Sequence, residues 1–536
     1  MSLGVNKSYK IISRWMHKTL TDWQIALKAN GADVLIYEEY VDFTTDVNHF
    51  ELFILMLSKH CPNLTHVRLL FSGENSDCFD GGFVRSLLQL PNLICLSLFD
   101  TPANEIFALK TDFNQLTTLK LVGFDENVTV GDLSNIFALM KNLQNVIYEY
   151  KSFRDNQIVA ALSNVSQLKS LTLYYAPESE LKQLRNCNQL EILQLYNIDV
   201  TLGPDDFIEI FKAKRNLHTL SLCFIDKKLC KQLNQLDAYC PKLTYLTINQ
   251  LWKNLGDIVN LKYLRFESSL PIFETRELLD SLSQRYADRL EILDISMASG
   301  HTHTLEITKL KSLKAFLCSS WPSNMYPCLA QLEHLRFFSM ETYSDNVDDS
   351  DALIKMILNC TNLAYLRLPY KAELFEEPIR NLSYCLGRNS IRPESPFVLS
   401  VCGRSAVADI EEKLTLHTQS NLLQLDWNGN VFASKLKDLI ASLCPSAACA
   451  DDGRIFKNPV KAVGDPFAAE DSWLSNMNYK LALAACTKRF NLEHDLELVN
   501  RCRDFAISKA EYELTNMQFA FNFKYDAIDE QNVYPE

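Results

Sequence analysis

A six-residue pattern of leucines recurs between residues 64 and 368 and restricts what this chain can fold into. Residues 93–98 read Leu-Ile-Cys-Leu-Ser-Leu, residues 217–222 read Leu-His-Thr-Leu-Ser-Leu and residues 363–368 read Leu-Ala-Tyr-Leu-Arg-Leu. The leucine that opens each copy returns at a mean spacing of about 25 residues. These opening positions are Leu64, Leu93, Leu116, Leu143, Leu168, Leu190, Leu217, Leu243, Leu261, Leu290, Leu313, Leu335 and Leu363.

This period is typical of leucine-rich repeats and predicts an α/β fold. Each copy supplies a short strand with its leucines on one side, and the following residues return the chain along the opposite side. One copy cannot bury its leucines alone, but stacked copies bury them against one another. We therefore expect a curved, horseshoe-shaped solenoid with a parallel sheet on its concave face, helices on its convex face and a helical C-terminal cap.

The pattern divides the chain into three parts. Residues 1–30 have the apolar spacing of one or two short helices and end at an Asn-Gly turn signal. The repeats occupy residues 31–433, because Leu422, Leu425 and Trp427 restore the repeat core after an irregular stretch. Residues 434–536 lose the pattern and carry apolar residues at helical spacing. We predict a mainly helical cap there, with an independent small domain as the alternative.

Charge and hydropathy argue against nucleic acid or membrane as a partner. The net charge is -13, whereas nucleic acids and anionic lipid surfaces attract proteins with a positive field. The N-terminus lacks the apolar run of a secretory signal, and no stretch approaches the ~18 apolar residues of a membrane span. We expect a cytoplasmic or nuclear protein.

The cysteines favour the same compartments. There are 16, scattered singly, and four occupy equivalent places in the repeat: Cys61, Cys187, Cys240 and Cys360. A disulfide scaffold is the alternative, but small secreted scaffolds concentrate their cysteines in short chains. Free buried thiols in a reducing compartment explain the repeat positions better.

No motif predicts catalysis, a metal site or a cofactor. The chain has no phosphate-binding glycine loop, no G-x-S-x-G and no H-E-x-x-H. Cys444 and Cys449 lack a second ligand pair, and His301 and His303 lie in a polar stretch. We therefore predict a non-enzymatic binding protein.

Strand alternation locates the predicted binding face. If the leucines point inward, the residues between them point to the other face of the sheet. Tyrosine and arginine are enriched at these positions, and both side chains dominate interface energetics. The alternative is that the aromatics pack across neighbouring strands or under the C-terminal cap. The predicted partner-binding residues are Phe99, Tyr174, Tyr196, Tyr245, Tyr263, Arg265, Phe337, Tyr365 and Arg367.

The cysteine that opens four repeats, each as Cys-x-x-Leu, resembles the cysteine-containing repeat of the F-box/leucine-rich-repeat family. Residues 12–15, which read Ile-Ser-Arg-Trp, and the following Trp23 are similar to the end of an F-box. The leucine-proline pair and amphipathic helix that open that motif are not found before Ile12, so we expect weak adaptor binding by this stretch alone.

The resemblance implies the substrate-recognition subunit of an SCF-type cullin-RING ubiquitin ligase. A Skp-type adaptor and a cullin would then be partners, and Ile12, Trp15 and Trp23 would contact the adaptor. The alternative is an adaptor-independent scaffold that binds a protein partner on the same concave face.

We predict that all 16 cysteines are free thiols. Thiol counting on the native protein, denatured without reductant, should recover nearly every cysteine. Recovery of only a few thiols would show stable disulfides and contradict the reducing compartment.

Overall fold

The structure, a computed structural model, describes part of the chain, all within the first of two compact units, Met1–Gly464 and Asp465–Glu536. The described residues are 8–10, 34–39, 65–71, 90–101, 114–124, 129–150, 158–196, 202–223, 231–248, 257–266, 272–295, 305–321, 326–343, 350–369, 395–402, 422–426 and 429–443, with positions 84, 88, 229, 255 and 386.

One parallel sheet organises these residues. It contains 17 strands, and each strand pairs with its neighbour in the sequence. The strands are β1 Ser8–Lys10, β2 Val34–Glu39, β3 His66–Phe71, β4 Cys95–Thr101, β5 Thr118–Phe124, β6 Asn145–Glu149, β7 Ser170–Tyr174, β8 Ile192–Tyr196, β9 Thr219–Cys223, β10 Tyr245–Ile248, β11 Tyr263–Phe266, β12 Ile292–Ile295, β13 Ala315–Trp321, β14 Phe337–Tyr343, β15 Tyr365–Pro369, β16 Phe397–Cys402 and β17 Leu423–Asp426.

Short helices connect many of the strands. They are α1 Val130–Leu139, α2 Ile158–Leu162, α3 Glu178–Gln183, α4 Pro204–Glu209, α5 Leu236–Tyr239, α6 Ile272–Tyr286, α7 Tyr326–Leu329 and α8 Ser350–Asn359. A further helix of 14 residues, α9 Asn430–Leu443, follows β17. Strand and crossover alternate along the whole described sheet, which confirms the predicted α/β leucine-rich-repeat solenoid.

The N-terminal part differs from its prediction at one place. Ser8–Lys10 is a strand that pairs in parallel with Val34–Ile36, not a helix. The unpaired edge of β2 offers backbone donors and acceptors, and pairing with them outweighs the local helical spacing. Ile12, Trp15 and Trp23 lie outside the described residues.

The same tight turn leads into many of the strands. The repeat leucine donates its amide to the carbonyl three residues earlier, as Leu243 does to Cys240 and Leu363 does to Cys360, both at 3.0 Å. This turn buries the earlier side chain, so a compact apolar residue is favoured there. The Cys-x-x-Leu pattern is therefore the sequence signature of a buried turn.

An amide side chain before the repeat leucine bridges neighbouring repeats. Gln167 Nε2 donates to the carbonyl of Met140 at 2.9 Å, Gln189 Nε2 to that of Val165 at 2.9 Å, and Asn260 Nδ2 to that of Pro241 at 2.7 Å. The carbonyls of Met140 and Val165 thereby accept a second hydrogen bond, beside that from the amide of the repeat leucine. They link each repeat to the one before it.

Two buried charged side chains also link neighbouring repeats, through hydrogen bonds to backbone groups near the crossover helices. Glu180 accepts the amides of Ile158 and Val159, at 2.7 and 2.9 Å, at the start of α2. Lys214 Nζ donates to the carbonyls of Leu184 and Cys187 at 2.7 and 3.0 Å. Burial lowers the pKa of Lys214 to about 8. Both side chains satisfy backbone groups of a neighbouring repeat that short helices cannot satisfy themselves.

The leucine core makes folding sensitive to alkaline pH through the buried thiols. Burial alone raises the pKa of Cys360 from about 9 to about 12. The folded protein therefore keeps this proton at pH values where the unfolded chain has lost it. The resulting stability is fully present below the unfolded pKa and is lost as the pH rises through the folded value.

We predict that Cys360→Ala flattens the alkaline loss of stability. From about pH 9 to 11 the wild-type free energy of unfolding should fall more steeply than that of the variant, by up to about 1.4 kcal/mol per pH unit. Urea unfolding under reducing conditions measures both slopes. The other buried thiols and tyrosines contribute equally to the pH dependence of both proteins. If the free energy of unfolding falls with pH at the same rate in both, Cys360 is not a buried, protonated thiol.

Candidate protein-binding face

The face of the sheet opposite the leucine core carries an apolar row. Its members occupy equivalent strand positions in β10 to β15 and pair in register. Their chain neighbours, such as Leu246 and Leu264, belong to the leucine core, so alternation places the row on the other face. We call this the aromatic row: Tyr245, Tyr263, Ile292, Ala315, Phe337 and Tyr365.

Parallel register brings the rings of this row face to face. Tyr245 and Tyr263 stack with centroids 4.1 Å apart and 9° between planes, and Phe337 and Tyr365 stack at 4.3 Å and 6°. Neighbouring strands lie about 4.8 Å apart, so equivalent rings meet at stacking distance. These contacts join Tyr245 to Tyr263 and Phe337 to Tyr365, with Ile292 and Ala315 between the two pairs.

A polar row runs beside the aromatic row, two residues further along each strand. Its polar members are Thr247, Arg265, Asp294, Ser339, Arg367, Ser400 and Asp426, all buried, and the apolar Leu317 of β13 lies between Asp294 and Ser339. Arg265 Nε lies 3.6 Å from Asp294 Oδ2, and the two residues are register partners. A buried ion pair of this kind is costly to break because either partner alone would be an uncompensated charge.

The helix α9 covers the aromatic row. Phe432, Leu436 and Ile440, spaced four residues apart on one side of the helix, form a cluster with the row that is separate from the leucine core. The ring of Phe432 meets that of Phe337 edge to face, with centroids 5.8 Å apart. Lys435, Lys437 and Asp438 are exposed on the other side.

Residues at the end of β17 set the direction of α9. Gly429 has a φ of 68°, a left-handed conformation that glycine adopts without a side-chain clash. The Asp426 carboxylate then accepts the amide of Phe432 at 2.8 Å, inside the first turn of the helix. Asp426 is register partner to Ser400 in the polar row, so the sheet itself caps the covering helix.

The pKa of Tyr263 reflects the removal of the aromatic row from water. Burial raises the pKa of Tyr263 well above its ordinary value, and the neighbouring Tyr245 and Asp294 raise it further while Arg265 opposes them. The phenol is therefore a neutral hydrogen-bonding group at all physiological pH values.

The structure corrects the expected exposure of the predicted partner-binding residues. Tyr245, Tyr263 and Phe337 are only 1%, 4% and 2% exposed and belong to one buried cluster with the apolar side of α9. Tyr174, Arg265 and Arg367 are also buried, and Tyr196 and Tyr365 are half-buried. Phe99 belongs to β4, and its side chain is outside the described part of the chain.

The face assignment itself is confirmed for the aromatic residues of β10 to β15. Tyr245, Tyr263 and Arg265 come together as one patch, as expected, but the patch is interior. For these residues the alternative given in the sequence analysis is correct: the aromatic side chains pack under a C-terminal helix and not against a partner. That helix begins at Asn430, four residues before the predicted start of the C-terminal cap at residue 434. Its apolar residues at i, i+4 and i+8 were the sequence signal for a helix with one buried side.

The accessible part of the same face lies at β5, β6 and β8. Lys120, Asn145, Ile147, Glu149 and Tyr196 are all half-buried there. The side chains differ in character from the aromatic row, since they combine both charges with amide, aliphatic and phenol groups.

An exposed aromatic adjoins this accessible part and was not predicted. Tyr175 is 40% exposed and has a φ of 57°, in the left-handed region that non-glycine residues seldom adopt. Its amide donates to the carbonyl of Tyr196 at 3.0 Å, which holds the strained turn in place. A single sequence contains no signal for this conformation.

Metal-binding groups, disulfides and membrane-spanning helices can each be checked in the described residues. Within them, no group of three or more His, Cys, Asp or Glu side chains is placed to hold a metal ion. The cysteines whose side chains are described, Cys95, Cys187, Cys223, Cys240, Cys318, Cys328 and Cys360, are all free. None of the helices in the described ranges is long and apolar enough to cross a bilayer.

Comparisons with known proteins give only distant likenesses. No family model matches the chain, and no curated protein matches it. An internalin from Listeria monocytogenes is similar at 12% identity over 65% of this chain and 89% of that chain, with a TM-score of 0.31. A chain of the yeast Rad7 and Elc1 complex is similar at 16% identity over 74% and 96%, with a TM-score of 0.36. The repeat fold follows from the sheet and its register alone.

We predict that Phe337→Ala destabilises the protein by about 3 kcal/mol, because it removes a buried ring that stacks on Tyr365 and meets Phe432. Urea unfolding measures the loss. The matched control is Ile94→Ala at an exposed turn position, which should change stability by less than about 0.5 kcal/mol. Equal effects of the two changes would contradict the burial of the aromatic row.

Proposed function

We propose that this chain is a non-catalytic protein-binding subunit, and more specifically the substrate-recognition subunit of an SCF-type cullin-RING ubiquitin ligase. The observation that supports binding is the continuous sheet face, on which in-register side chains from many strands form ordered rows. An extended, pre-ordered surface suits a protein partner because little conformational entropy is lost when it binds.

The substrate surface in this proposal is the accessible part of the face. Lys120, Glu149 and Tyr196 are half-buried, on strands held rigid by the leucine core. Tyr196 stacks on the buried Tyr174 with centroids 4.8 Å apart, which fixes its ring for contact. Phe99 on β4 completes the proposed set.

The ligase assignment is supported by the Cys-x-x-Leu turns. Cys187, Cys240 and Cys360 are buried, so the thiols serve packing, as in the repeat subtype that this chain resembles. Ile12, Trp15 and Trp23 are the proposed adaptor-binding residues. A cytoplasmic or nuclear location, where Skp-type adaptors and cullins are found, belongs to the same proposal.

The proposal predicts two separable surfaces on the full natural protein. Replacing Ile12, Trp15 and Trp23 by alanine should reduce co-purification of the Skp-type adaptor and cullin at least tenfold and leave substrate capture unchanged. Replacing Lys120, Glu149 and Tyr196 by alanine should do the reverse. Quantitative affinity purification with mass spectrometry measures both.

The control is Lys435→Ala, on the exposed side of α9, which should affect neither set of partners. If adaptor and cullin never co-purify with the natural protein while another partner does, the ligase assignment is wrong. The adaptor-independent scaffold is then the better description.

A further inference from the structure

The contact between α9 and the sheet is separable from the rest of the fold. Phe432, Leu436 and Ile440 belong to a cluster that shares no member with the leucine core. The strands beneath are paired on both sides and bury their leucines on the opposite face. Removal of α9 from the row would therefore leave the repeat core intact.

The row beneath α9 has the form of a preorganised groove for a helix. Four of its rings stack in two pairs across neighbouring strands, and one of them, Phe337, also meets the ring of Phe432 in the helix. The helix has 14 residues and is therefore about 21 Å long. Six strands at about 4.8 Å spacing span about 24 Å, which is comparable with the length of the helix.

The attachment of α9 is local and short. Three residues separate the end of β17 from the first residue of the helix, and the left-handed Gly429 is the last of them. One carboxylate bond, from Asp426 to the Phe432 amide, holds the N-terminal turn. The helix is thus tethered beside the row at high effective concentration, as an intramolecular ligand is.

We propose that the aromatic row is a binding site for an amphipathic helix and that α9 is its intramolecular occupant, which a partner helix must displace. The proposal rests on the protein-binding function above and adds a second, gated surface to it. The partner helix carries an aromatic residue followed by aliphatic residues at i+4 and i+8, with a polar outer side, as α9 does.

The experiment uses the full chain with α9 unseated. In the unseated variant, Phe432, Leu436 and Ile440 are all changed to aspartate, which places charges against the apolar row. In the control, Ser434, Lys437 and Ser442, exposed on the other side of α9, are changed to aspartate. The probe is a fluorescent peptide with the sequence of residues 429–443.

The unseated variant should keep a cooperative unfolding transition and bind the peptide at least tenfold more tightly than the wild type or the control. The same peptide with Leu436→Asp should not bind. If the variant folds but does not bind the peptide, the row is not a binding site and the proposal is wrong. If the variant loses cooperative unfolding, the row is part of a core that cannot be separated from the repeats, and the proposal is also wrong.

Hydrogen exchange of the unaltered protein provides a second test. The amides of α9 should exchange at least tenfold faster than those of β12 to β14, because the helix opens without the sheet. Equal protection would show that α9 leaves the row only on global unfolding and would also overturn the proposal. Neither experiment involves the adaptor or a substrate, so its failure is distinguishable from failure of the proposed function.

Discussion

Every other feature of this protein depends on the burial of repeat leucines against the repeats before and after them. Leu220, Leu246, Leu264 and Leu293 are register partners from consecutive strands and are all buried. Because a single repeat cannot bury these side chains alone, neighbouring repeats must stack in the same register. That register is imposed on both faces of the sheet. A residue placed between two leucines is therefore aligned with its counterparts in adjacent strands, whatever its chemistry.

This alignment produces the rows of the second face. Where the aligned residues are aromatic they stack, as Tyr245 and Tyr263 do, and where they carry opposite charges they pair, as Arg265 and Asp294 do. A row of large apolar side chains is too extensive to leave in water, and α9 covers it. The face is thus divided into a covered aromatic part and an accessible part of mixed polarity around Lys120, Glu149 and Tyr196. The two proposals follow from this division: a partner binds directly to the accessible part, whereas a partner helix must first displace α9 from the aromatic row.

The sequence predicted what is local and periodic. Strand positions, the parallel sheet and the orientation of Tyr245, Tyr263 and Phe337 follow from leucine spacing and strand alternation. Exposure could not be predicted in the same way, because it depends on Phe432 meeting Phe337, two residues far apart in the chain with no local signal that pairs them. The strand Ser8–Lys10 was missed for a related reason, since its conformation is set by the free edge of β2 and not by its own residues.

The attachment of α9 after β17 and its contact with Phe337 divide the repeats into two classes, which differ in how freely their number can change during evolution. Between β4 and β9, one repeat is joined to the next by the same turn and often by the same amide bridge, so a whole unit can be duplicated or deleted and the remaining bonds re-form. Between β14 and β17 a change in repeat number would alter the distance from the attachment of α9 to Phe337 and displace Phe432 from it. We therefore expect related proteins to vary in repeat number in the first segment and to keep the strands from β14 to β17 in the second.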